Sequence, residues 1–170
     1  YNTHCHSAMA LFRGYGDDLP LQRWLNEKIF PAEDRLNEER VYTGSMLAIA
    51  EMIKNGVVSF SDMYFILDET ARAVEQTGVK ANLSRSIVSF DNNANFSKDT
   101  RVLESIDVYN RWNGKADGRI KIDMSLHAEY SNVVGCFDYV GALTKELGTG
   151  FQIHISETKS EHEECIARHG

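Results

Sequence analysis

Two histidines, His4 and His6, flank Cys5 almost at the start of the chain, in the stretch YNTHCHSAM. On a β-strand, residues i and i+2 share a face, so a strand-borne H-x-H aims two imidazole nitrogens at one point. Two such ligands suit a borderline-soft divalent ion such as Zn²⁺. Taken alone, so short a spacing is more often a pair of surface histidines, and the rest of the chain must decide. A third imidazole, His154, ends the apolar run GFQIH, and Glu157 follows three residues later. Three neutral nitrogens with an open position describe a hydrolytic zinc site, and a carboxylate beside it could move a proton from bound water to a leaving group. Glu157 is equally well placed to be a carboxylate at a helix N-terminus. His127, in SLHAEY, has the same ambiguity between a satisfied core histidine and a site residue. Asp62 reads as structural, Cys5 as a small apolar residue turned away from the two histidines, and His162 and His169 as solvent-facing.

The elements that must position these residues alternate regularly. Strands are expected at the opening H-x-H and over 57–64, 79–90, 119–127 and 150–157. Helices are expected over 38–55, with Asn37 as cap and Met46, Ile49 and Ile53 inward, and over 68–78, with Asp68 as cap. Further helices are expected over 98–113, with Leu103, Ile106 and Tyr109 inward, and over 131–148, with Ser131 as cap. Thr158 and Glu161 form the T-x-x-E of a capping box that opens a last helix. Five strand–helix units at this spacing indicate an α/β protein with parallel strands. An open doubly wound sheet and part of a (β/α)8 barrel both fit. No G-x-G-x-x-G or P-loop follows a strand, which removes the usual phosphate-binding reason for an open sheet. In either fold the C-terminal ends of the strands collect functional residues, and here those ends carry His4, His6, Asp62, Arg85, His127 and His154.

Composition narrows the class. The chain has 170 residues and a net charge of −7, with no basic run to suit a nucleic acid. No apolar stretch is long enough to span a membrane, and no leader pattern opens the chain. Three widely spaced cysteines indicate reduced thiols and a cytoplasmic setting. A small-molecule substrate is the expected partner, and a homo-oligomer is left open.

The ordered series NTHCHSAMALFRGYGDDLPLQRWLNEKIFPAEDRL, GSMLAIAEMIKNGVVSFSDMYF, YNRWNG, HAEY and HISETKSE resembles the amidohydrolase superfamily, in particular its 5-methylthioadenosine/S-adenosylhomocysteine deaminase branch. That resemblance implies a TIM-type barrel, here partial with about five β/α units, and a hydrolytic deaminase of 6-aminopurine nucleosides. It implies metal ligands at His4, His6 and His154, with zinc the first choice and iron left open by ligand type. Glu157 becomes the general acid/base, Glu33 the grip on ribose hydroxyls and Trp24 a wall of the nucleoside pocket. Arg85 and Arg101 would reach the substrate's tail, and His127 would contact the substrate. Guanine, cytosine or a chlorotriazine as substrate, and a metal-free interaction scaffold, are the competing readings. Cys5 stands where the family has threonine, and Glu129 where it has proline. The family's later histidine, its eighth-strand aspartate and its small β-rich domain have no counterpart, so residues 1–170 are expected to be the N-terminal part of a larger barrel.

Overall fold

The computed structural model describes residues 1–170. Five parallel strands, β1 (Asn2–Cys5), β2 (Ser59–Tyr64), β3 (Lys80–Arg85), β4 (Ile120–Ala128) and β5 (Phe151–His154), lie side by side in chain order. The sheet curls into a half-barrel. Between β1 and β2 come a 3₁₀ segment (Ser7–Phe12), α1 (Leu21–Trp24), a π-helical turn (Leu25–Ile29), α2 (Phe30–Glu33) and α3 (Glu38–Lys54). The later crossovers carry α4 (Leu67–Thr77), α5 (Thr100–Trp112) and α6 (Val134–Leu147), and α7 (Lys159–His169) follows β5.

Alternation along the strands separates two environments. On β4, Ile120, Ile122, Met124 and Leu126 are buried in one apolar cluster with Val102 and Val108 of α5 and Val140 and Leu143 of α6. Asp123, Ser125 and His127 alternate with them and therefore face the inside of the curl. The inner face is polar: Asp123 accepts from the Gly150 amide at 2.8 Å and from the side-chain amides of Asn82 and Gln152. Helices thus pack the outside, and polar groups are gathered inside.

Several local expectations are corrected. The third strand ends at Arg85 rather than at 90, because β2 stops at Tyr64 and leaves only single bridges from Ile87 and Ser89 beyond it. The fifth ends at His154 rather than 157, because Ser156 turns into a left-handed conformation. The second starts at Ser59, since Gly56 and Val57 close the end of α3 with bonds to Ile53 and Met52. Asp68 does not cap α4; its carboxylate accepts from Trp112 Nε1 at 2.6 Å and from Arg111, tying α4 to α5. Ser131 does not cap α6, which starts at Val134; its hydroxyl bonds the Ala128 backbone instead. Ile53 and Leu103 are exposed, and the buried faces run through Val41, Ser45 and Ile49 on α3 and through Val102, Ser105 and Val108 on α5.

One buried polar chain pins the H-x-H segment. Asp62 on β2 is fully buried and accepts from the Ser7 amide at 3.1 Å and from the Ser7 hydroxyl. Ser7 Oγ lies 3.2 Å from Ser45 Oγ of α3, which lies 3.0 Å from Thr70 Oγ1 of α4. The residue after His6 is therefore fastened to one strand and two helices. Gly44 completes the fit, because a Cβ there would stand 2.4 Å from the Ala8 carbonyl oxygen.

Two outcomes follow from this pin. Gly44→Ala gains about 1 kcal/mol of helix propensity, yet it drives a methyl into the Ala8 carbonyl. We expect a net loss of about 1–3 kcal/mol by urea unfolding; an unchanged or raised stability would mean that the 3₁₀ segment yields freely. Burial pushes the Asp62 carboxyl up from 3.8 to about 6, against the pull of its Ser7 bonds. Between those values the folded chain keeps a proton that the unfolded chain has released, so this group favours folding increasingly as pH falls from about 6 toward 4. Asp62→Asn should remove that contribution, about 2–3 kcal/mol in the difference between wild type and variant across the window. A difference independent of pH would show that Asp62 is ionised in the folded protein throughout.

Candidate active site

Curvature brings the first and fifth strands together at their C-terminal ends. The Nε2 atoms of His4 and His154 are 3.1 Å apart, and ligating nitrogens of His4, His6 and His154 all lie within 4.8 Å of one another. Nitrogens that share one tetrahedral ion at about 2.0–2.1 Å are themselves about 3.3 Å apart, so the donor set fits a zinc-type cation. Backbone carbonyls fix two of the tautomers. His6 Nδ1 bonds Met63 O, and His154 Nδ1 bonds His127 O at 2.8 Å. A carbonyl only accepts, so both Nδ1 atoms must donate and both Nε2 lone pairs are left free for an ion.

Burial disfavours charge on His4 and His6. It is the largest cause pushing His6 down to about 4, with His154, His4 and His127 adding repulsion and the Met63 bond opposing. Burial and then His154 lower both His4 and His127. Cys5 points the other way, its thiol donating to Ser61 O at 3.2 Å and its ionisation suppressed by burial and by Asp62.

Around this corner opens a cavity of about 500 Å³. His6, His154, His127 and Glu157 line it together with Trp24, Glu33, Arg85 and Arg101, so eight of the nine expected site residues border one space. The exception, His4, lines the adjoining groove between β1 and β5. The His127 ring is held by Ser131 Oγ at 3.0 Å and lies 5.2 Å, centroid to centroid, from His154. Burial raises the Glu33 carboxyl, and Tyr64 donates to it at 2.6 Å. Arg85 is largely committed, with Nε on Glu104 at 2.8 Å and another donor on Ser86 O. The side chain of Arg101 makes no hydrogen bond or ion pair; its backbone amide is capped by Asp99 at 2.9 Å.

The sequence reading missed Tyr64, Phe90 and Tyr130, which also line the cavity. Tyr64 and Phe90 each close an expected strand and Tyr130 ends the HAEY stretch, places where an aromatic residue reads as core. His169 is exposed as expected but not idle. With Arg168 it binds Glu129, the residue in the family's proline position, and so ties the end of α7 to the loop after β4.

Glu157 owes its place to a buried carboxylate. Ser156 adopts a positive φ of 54°, and Glu161 accepts the amides of Ser156 at 3.1 Å, Glu157 at 2.7 Å and Thr158 at 3.3 Å. In return the Thr158 hydroxyl accepts from the Glu161 amide at 3.1 Å. The capping box thus does more than start α7: it fixes the turn that carries Glu157, which lines the cavity with His154. Glu161→Ala should speed hydrogen exchange at the Ser156 and Glu157 amides by at least about tenfold while β4 amides stay protected. Unchanged exchange at 156 and 157 would show that the turn holds without the carboxylate.

Known proteins share both this sequence and this shape. Relatives named 5-methylthioadenosine/S-adenosylhomocysteine deaminase, from Thermoanaerobacter pseudethanolicus and Carboxydothermus hydrogenoformans, are 44% and 48% identical over 169 residues. Each match takes in 99% of this chain but only 39% and 38% of the relative, so the chain spans well under half the length of these relatives. A crystal structure of an adenosine deaminase from Xanthomonas campestris with bound zinc superposes with a TM-score of 0.88 and 32% identity, over 99% of this chain and 38% of that one. A guanine deaminase from C. acetobutylicum with bound guanine has a TM-score of 0.84 at 19% identity, over 99% of this chain and 42% of that one, a likeness of fold alone. The sequence model of the amidohydrolase family matches residues 1–170 from end to end, and the chain belongs to that family.

Proposed function

We propose that the intact protein is a metal-dependent hydrolytic deaminase of 6-aminopurine nucleosides of the 5-methylthioadenosine or S-adenosylhomocysteine kind. The observation that carries this reading is the meeting of three imidazoles within 4.8 Å beside a cavity that also holds Glu33 and Glu157. The names of the relatives support the substrate class.

His4, His6 and His154 would hold the ion, zinc in preference to iron. When bound, such an ion makes a water acidic enough to act as a nucleophile near neutral pH. Glu157 then moves a proton from water to the ring nitrogen beside C6, which makes that carbon electrophilic. The hydroxyl adds to C6, its remaining proton passes to the amino group, the C6–N bond breaks to release ammonia, and the inosine-type product keeps the proton on its ring nitrogen. His127, held by Ser131, is oriented to hydrogen-bond the substrate. Glu33 takes the ribose hydroxyls, Trp24 walls the purine, and Arg85 and Arg101 meet the tail. No helix is long and apolar enough to cross a membrane.

The test is deamination by the full-length, metal-loaded protein. 5′-Methylthioadenosine should be a substrate, and Glu33→Ala should lower its kcat/KM at least about a hundredfold, since two charge-assisted bonds of roughly 1.5–3 kcal/mol each are lost. Adenine, which has no ribose, should be affected far less. Equal losses, or turnover of guanine but of no nucleoside, would move the assignment to the free-base branch.

A further inference from the structure

We infer that Tyr64 is a positioning residue, which holds the Glu33 carboxylate in place for a ribose diol. The inference rests on the nucleoside reading above and adds to it a residue outside the ligand and acid/base set. Tyr64 ends β2 and is only 4% exposed. Its ring stacks on Phe65, with centroids 4.2 Å apart and planes at 22°, and lies 5.9 Å from the ring of His6. The ring is therefore anchored to the strand that bears Asp62 and rests against one of the three converging imidazoles. Its hydroxyl donates to Glu33 Oε1 at 2.6 Å and is the sole hydrogen-bond partner of that carboxylate.

Glu33 comes from a different part of the chain, the short helix α2 that continues α1 through the π turn. Nothing else polar fastens its carboxylate. A carboxylate has about four lone-pair directions. The phenol occupies one on Oε1, leaving Oε2 and the remaining direction on Oε1 for the two donors of a vicinal diol. A donor of this kind also favours the ionised carboxylate, which two hydroxyls need if both are to donate to it. Burial pulls Glu33 the other way, toward the protonated form. Tyr64 thus sets the separation between the imidazole corner and the sugar-binding carboxylate, two points that one nucleoside must reach together.

The experiment compares wild type, Tyr64→Phe, Glu33→Ala and the double variant in the full-length, metal-loaded protein. The substrates are adenosine and 2′,3′-dideoxyadenosine, which lacks the diol. Phenylalanine keeps the ring stack and removes only the hydroxyl. The expected result is a KM for adenosine raised about tenfold with kcat unchanged, and kinetics on the dideoxynucleoside within about twofold of wild type. Adding Tyr64→Phe to Glu33→Ala should change nothing further. Losses of equal size on both substrates would reduce Tyr64 to core packing and overturn the inference. So would a fall in kcat alone, or a selective effect of Glu33→Ala that Tyr64→Phe does not share; that last result would leave the nucleoside reading standing. If Glu33→Ala itself fails to discriminate the two substrates, the nucleoside reading falls and takes this inference with it.

Discussion

Imidazoles from the first and fifth strands of a five-stranded sheet touch only because the sheet bends. Laid flat, those strands would be about 19 Å apart, at roughly 4.8 Å per step. Two histidine side chains do not close that gap, yet His4 and His154 stand 3.1 Å apart. Every other feature of the site is subordinate to the curvature. It puts the ends of all five strands around one opening, and it turns the alternation within each strand into a division between a packed outside and a polar inside. The outside does the work of stability through the cluster of Ile120, Ile122, Met124 and Leu126 with the helices.

Burial acts on ionisable groups on both faces of the sheet. Inside, burial disfavours charge on His4 and His6 and so leaves their lone pairs free for a cation. Outside, burial disfavours charge on Asp62, which is used to hold Ser7 rather than to bind an ion. The same desolvation serves two purposes, a ligand set on one face and a fastening on the other, and Cys5 and His6 are neighbours that fall on opposite sides of the division. The hydroxyl chain Ser7, Ser45, Thr70 lets the fastening run through two helices without an apolar gap.

Much of this was legible in the residues. Strand–helix alternation at βαβ spacing announces parallel strands, and a period of two puts His4 and His6 on one face. Periodicity could not reveal that the sheet closes rather than staying open, because both folds use the same units; the family resemblance supplied that. Caps were read correctly where a side chain had no stronger partner, as at Asn37 and in the Thr158–Glu161 box. They were misread where tertiary partners competed: Asp68 is drawn to Trp112 and Arg111, and Ser131 to the Ala128 backbone. Tyr64 escaped notice because an aromatic residue closing an apolar strand looks like core, and only the geometry shows its hydroxyl on Glu33.

The stretch between α1 and α2 carries a last consequence. Pro31 has no amide to give to the carbonyl four residues before it, and the chain accommodates this with the π turn at Leu25–Ile29, where Phe30 N bonds Leu25 O. Trp24 and Glu33 are nine residues apart. On an unbroken α-helix, at 100° per residue, that spacing would set them about 180° apart, on opposite sides of the rod. A π turn counts as one inserted residue, so the effective spacing is eight and the offset shrinks to about 80°. Proline thereby acts as a phase shifter. The turn that accommodates it swings the indole and the carboxylate onto one side, where both can face the same cavity.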